Sequence, residues 1–82
     1  MKALVLIRPK DGILDPQGDA VRHSLRTLGF DVVTARVGRV VDLELDADDR
    51  DDAYRKVERM CAELLANPLI ESVEIRIEDG SA

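Results

Sequence analysis

Val32-Val33-Thr34-Ala35-Arg36-Val37-Gly38-Arg39-Val40-Val41-Asp42-Leu43-Glu44-Leu45-Asp46 is the stretch on which the fold turns. Val33, Ala35 and Val37 alternate with Thr34 and Arg36; then Val41, Leu43 and Leu45 alternate with Asp42, Glu44 and Asp46. That is the period-two pattern of half-buried strands. Gly38 falls between the two runs, as a tight turn or as a bulge through which one long bent strand continues. Two strands here, with no helix between them, predict a β-β unit at the centre of the chain.

Upstream, Ala3-Leu4-Val5-Leu6-Ile7 is apolar at every position, as a central strand covered on both faces reads. A turn follows at Arg8 to Gly12, and Asp15-Pro16 marks a helix start, with Asp15 as N-cap and Pro16 at the first helical position. Val21, Leu25 and Leu28 form one apolar stripe. Gly29 supplies the left-handed position after the helix, and Phe30 folds back on its last turn. Downstream, a stripe of Ala53, Val57, Met60, Cys61, Leu64 and Leu65 predicts a second helix that Asn67-Pro68 stops. Val73, Ile75 and Ile77 alternate with Glu74, Arg76 and Glu78 in a last strand, and residues 79–82 read as a frayed tail. The order is β-α-β-β-α-β: an α+β two-layer sandwich of ferredoxin-like arrangement, with two helices on one face of a mostly antiparallel sheet. Leu4, Leu6, Val32 and Val40 fall on the opposite parity, and an apolar set on an uncovered sheet face predicts self-association through that face.

With 82 residues, the chain is one domain, 1–82, without an internal repeat. Folding a chain of this mass buries about 63% of its unfolded surface, near the low end for an independent fold. No segment approaches the roughly 18 apolar residues of a membrane span, and the apolar run after Met1-Lys2 is too short for a secretory signal, so the expected address is the cytoplasm. A net charge of −5 and only two aromatic residues, Phe30 and Tyr54, argue against a nucleic-acid partner.

The residues suited to chemistry are few. Cys61 and His23 are the only residues of their types, and a nucleophilic cysteine needs a base within reach. Cys61 falls in the apolar stripe of the second helix, whereas His23 lies on the solvent side of the first. The five aspartates from Asp46 to Asp52 lack the turn glycine and distal Glu of a calcium loop; they suit a helix N-terminus, with i,i+4 pairs of Asp51 with Arg55 and Asp52 with Lys56. Phosphate loops, a Ser-His-Asp set and zinc motifs are missing. No catalytic or metal-ligating residue is therefore assigned. Arg8, Lys10, Arg22, Arg26, Arg36 and Arg39 are left as a basic set able to meet an anion or an acidic partner surface.

Three elements in register carry a resemblance. Gly12-Ile13-Leu14-Asp15-Pro16-Gln17-Gly18, then Arg36-Val37-Gly38-Arg39, then Met60-Cys61-Ala62-Glu63-Leu64-Leu65-Ala66-Asn67-Pro68 closely resemble the PurS family, nearly end to end. The resemblance implies a non-catalytic small subunit of phosphoribosylformylglycinamidine synthase, which makes formylglycinamidine ribonucleotide in purine synthesis from formylglycinamide ribonucleotide, glutamine and ATP. It implies no cofactor in this chain; ATP and magnesium belong to the synthetase chain, and glutamine to a glutaminase chain. The implied partners are those two chains and further copies of this one, as dimer or tetramer, bridging the two active sites for ammonia transfer. Leu14, Asp15, Pro16, Gln17, Gly18, Arg36, Gly38 and Arg39 are the matching positions expected on the contact surface. A rival reading is a regulatory domain of the ACT type, which shares the element order and often carries a glycine after its first strand, as Gly12 stands here.

Overall fold

The structure is a computed structural model, and it describes residues 1–78. The expected tail at 79–82 lies outside the described residues. Strand β1 runs over Lys2–Pro9, helix α1 over Pro16–Thr27, strand β2 over Arg39–Glu44, helix α2 over Arg50–Met60, and strand β3 over Glu71–Glu78. A π-helical turn, Cys61–Leu65, prolongs α2. The sheet has three strands in the order β2-β1-β3, both pairings antiparallel. The α+β class and the antiparallel sheet are as the sequence predicts.

β1 is central, which explains its unbroken apolar run. Ala3, Val5 and Ile7 point to one face and are 3%, 0% and 1% exposed. Their register partners Leu43 and Val41 on β2, and Ile77, Ile75 and Val73 on β3, share that face. Helix α2 lays Ala53, Val57 and Cys61 over it at i, i+4 and i+8, and Val57 is fully buried. The start of α2 is held by Asp49, whose carboxylate accepts from Asp52 N–H at 2.8 Å. Asp52 in turn accepts from Asp48 N–H at 2.9 Å and from Lys56 at 3.1 Å. The expected Asp52–Lys56 pair therefore forms, and the aspartate run is a helix start.

Two features depart from the sequence reading. The strand expected over Val32 to Val37 joins no ladder among the described residues; β2 begins at Arg39, past Gly38. Side chains take its backbone groups instead: Val37 N–H donates to Asp15, and the Val32 carbonyl accepts from Arg26 at 3.2 Å. Gly38 is neither hairpin turn nor bulge. A Cβ there would overlap the carbonyl of Ile7, so glycine lets the chain pass tightly over β1 as it enters the sheet.

The second departure concerns α1. Among the described residues only α2 and its π turn cover the core face, and α1 stands off the sheet with its apolar stripe largely in the open. Val21 is 42% and Leu28 73% exposed, and beyond the helix Phe30 and Val33 are 59% and 80% exposed. The helix is nonetheless well terminated. Gly29 has φ +99°, Gly29 N–H donates to Arg26 C=O and Phe30 N–H to Leu25 C=O, both at 3.0 Å, the two bonds of a Schellman cap. With α1 projecting, the radius of gyration is 16.0 Å, against about 12 Å for a compact chain of this length.

On the sheet face away from α2, Leu4 stands between Asp42 and Arg76, and Leu6 between Val40 and Glu74. Leu4, Leu6 and Val40 therefore do share the predicted face. Val32 does not: it lies in the return segment between α1 and β2. The apolar patch on that face is smaller than the sequence implied, because charged partners flank it on both strands.

Candidate partner-contact site

Asp15 is the hinge pin of the region that the sequence singled out. As N-cap of α1 it accepts from Gly18 N–H with Oδ1, and with Oδ2 it accepts from Val37 N–H, each at 2.9 Å. These two backbone donors, Val37 first and then Gly18, hold its carboxyl below the ordinary aspartate range, with Arg36 adding to the effect. One carboxylate thus ties the start of the helix to the segment that returns from its end. Gly18 is buried at this crossing, and a Cβ on it would overlap the Ala35 carbonyl oxygen. Arg36 completes the tie: its guanidinium donates to Asp11 at 2.5 Å and to the carbonyl of Pro9, the last residue of β1.

Arg39 does the equivalent work at the end of α2. It forms a forked pair with Glu71 at 2.6 and 3.1 Å and donates to the Leu65 carbonyl at 2.7 Å, a π-turn carbonyl without an intrahelical partner. Glu71 also accepts from Asn67 N–H at 2.8 Å. The forked bond holds Glu71 below, and Arg39 above, its ordinary pKa. Lys10 reaches across to the Pro68 carbonyl at 2.6 Å.

Of the eight residues expected on the contact surface, Asp15, Gly18, Arg36, Gly38 and Arg39 are thus engaged in holding the fold. The sequence brings them to one end of the sheet for packing and hydrogen bonding. Pro16 opens α1 at the first helical position. Leu14 and Gln17 are different: Leu14 is 87% exposed, and the exposed Gln17 side chain has no hydrogen-bond partner among the described residues. Leu14 and Ile13 rim an open hollow of about 330 Å³ lined also by Ala35, Asp19, Arg22 and Arg36. Beyond the π turn, Leu64 and Leu69 are also displayed, 85% and 81% exposed. Sequence reasoning passed over the ties of Asp11 and Glu71, whose partners stand 25 and 32 residues away and leave no local signature.

Cys61 is buried against the sheet, and burial pushes its thiol up, away from nucleophilic character. His23 is exposed on α1, an element that does not pack over Cys61. Among the described residues no group of three His, Cys, Asp or Glu side chains is placed to hold a metal, and no helix is long and apolar enough to cross a membrane.

Comparison with known proteins agrees with this fold. The family model for PurS, described as phosphoribosylformylglycinamidine (FGAM) synthase, matches residues 2–79. The chain is 36% identical over 78 residues to the phosphoribosylformylglycinamidine synthase subunit PurS of Methanocaldococcus jannaschii, covering 94% of each. It is similar to the crystal structure of Bacillus subtilis PurS, with a TM-score of 0.84 and 37% identity over 95% of this chain and 98% of that one. It also superposes on a chain in the structure of PurLQS from Thermotoga maritima with a TM-score of 0.85 and 33% identity, over 92% of this chain and 93% of that one. The chain belongs to the PurS family, subunits of phosphoribosylformylglycinamidine (FGAM) synthase.

Proposed function

We propose that this chain acts as a non-catalytic bridge, as a homo-oligomer, between the synthetase and glutaminase chains of FGAM synthase in the cytoplasm, keeping the two sites in register for ammonia transfer. The chemistry belongs to the other chains: ATP and magnesium are used in the synthetase, and glutamine is hydrolysed in the glutaminase. A bridge has only to hold two surfaces in a fixed relation, so that ammonia released at one site meets its acceptor at the other before escaping to water.

The observation that carries this reading is the surface that one copy leaves uncovered. Its accessible area is 6177 Å², about 1,300 Å² more than a compact chain of this mass exposes. The excess exceeds the roughly 800 Å² per partner of a standard interface, and it includes the apolar stripe of α1. A second copy covering that stripe accounts for it and gives a dimer, with a tetramer available through the Leu4, Leu6 and Val40 face. Leu14, just before α1, and Gln17, in its first turn, are both exposed and are the residues we assign to the other chains.

The test is reconstitution with the synthetase and glutaminase chains of one organism, with glutamine and nucleotide present, read by light scattering and by activity. A bridge co-elutes with both chains as a defined assembly. Omitting it abolishes glutamine-driven synthesis while leaving synthesis from added ammonium salt intact. Glutamine-driven synthesis that proceeds equally well without it would overturn the reading.

A further inference from the structure

Helix α1 is joined to the sheet by two connections, residues 10–15 and 28–38, and each contains a glycine at positive φ: Gly12 at +84° and Gly29 at +99°. Nothing packs within 4 Å of where a Cβ would stand on either. An arm on two such connections, with its apolar stripe off the sheet, would swing if nothing else restrained it. The structure restrains it by tying the two connections to each other and to the sheet. Asp15 spans from Gly18 N–H to Val37 N–H, Arg26 holds the Val32 carbonyl, and Gly18 seats against the Ala35 carbonyl. Arg36 then fixes the whole arm to the end of β1 through Asp11 and the Pro9 carbonyl.

We propose that the Asp15 and Arg36 ties form a latch that presets the direction of α1, and that this direction makes self-association close between copies instead of running on into open chains. The proposal rests on the self-association read above. An exposed apolar arm offered to another copy gives a closed assembly only when the geometry returns the same contact, as a two-fold axis does; otherwise each copy passes its arm to the next and the chain grows. A free arm samples both arrangements, and ordering it at the moment of contact weakens the closed one. The latch removes that freedom beforehand. It also explains why Asp15, Gly18 and Arg36 are spent on contacts within the chain and not on a partner.

The experiment is sedimentation velocity with light scattering on the full chain over about a hundredfold range of concentration. Asp15→Ser keeps a hydroxyl to cap Gly18 N–H but is too short to reach Val37 as well. Arg36→Ala releases the arm from β1. Circular dichroism confirms that each variant retains its helix; should Asp15→Ser lose it, Arg36→Ala alone decides. The expected result is one closed species for the unaltered chain and, for the variants, a mass that climbs with concentration to at least about twice that of the unaltered chain. Variants with the unaltered chain's mass would overturn the latch and leave self-association standing. Variants that simply fall to monomer would also overturn it, since the ties would then supply contact and not direction. A monomeric unaltered chain would remove self-association and the latch together.

Discussion

At Asp15 a single carboxylate does two jobs, and its ionisation is coupled to both. Its folded pKa is depressed below the ordinary 3.8 by the Val37 and Gly18 N–H groups. For a depressed carboxylate the stability it confers is present above the unfolded value and is lost as pH falls through the folded one. Acid titration of unfolding should therefore show a loss beginning below pH 3.8, and the loss should be smaller in Asp15→Asn. An identical acid profile for the two would sever the link between this ionisation and the fold. Gly18 offers an uncharged probe of the same crossing. Gly18→Ala must push the Ala35 carbonyl, a backbone atom, out of place, which predicts a loss of about 1 to 3 kcal/mol in urea unfolding even though alanine favours helices. A neutral or stabilising result would show that the crossing is looser than its geometry.

Among the elements, α2 is the one whose end the sequence misjudged. The stripe that placed Leu64 in the core assumes an unbroken α-helix, but Ala66 N–H donates to Cys61 C=O across a π turn, and the wider turn carries Leu64 outward. Arg39 and Glu71 hold that turn from outside the helix. Removing Arg39 takes the partner from the Leu65 carbonyl and leaves Glu71 with Asn67 N–H alone, so Arg39→Ala should speed amide exchange over residues 61–71 while leaving β1 and the first half of α2 protected. Unchanged exchange there would make the forked pair ornamental. The elements that could be read directly, β1, α1, α2 and β3, each carry their signal within a short window: an apolar run, a cap, a stripe or an alternation. Residues 32–37 also carry an alternation, yet join no strand ladder among the described residues, because whether an alternating segment enters a sheet depends on which strand edge lies beside it. The contact residues were legible as motifs but not as roles. Asp15, Gly18, Arg36 and Arg39 bind segments distant in sequence, and a linear reading has no access to those distances; Leu14 and Gln17 remain exposed because no described residue covers them.

For the whole molecule, the placement of its apolar surface decides what kind of protein it is. Among the described residues, six hydrophobic ones are buried in a single copy: Ala3, Val5, Ile7, Ala53, Val57 and Cys61. That core lies entirely between α2 and one sheet face. The stripe of α1 forms a second apolar set that the described residues leave largely uncovered, so this part of its amphipathic design is addressed to something outside it. If another copy covers that stripe, a charge placed in it must be buried unpaired in the assembly, at the cost of several kcal/mol, while in the monomer it stays in water. Leu28→Asp should then dissociate the oligomer with little change in the helix content of the monomer. Leu4→Asp, on the other face, should leave the dimer intact and act only on a higher assembly. Sedimentation of the two variants side by side separates the faces. If Leu4→Asp dissociates the protein to monomers and Leu28→Asp does not, the dimer forms through the open sheet face and α1 is turned toward the larger synthase chains.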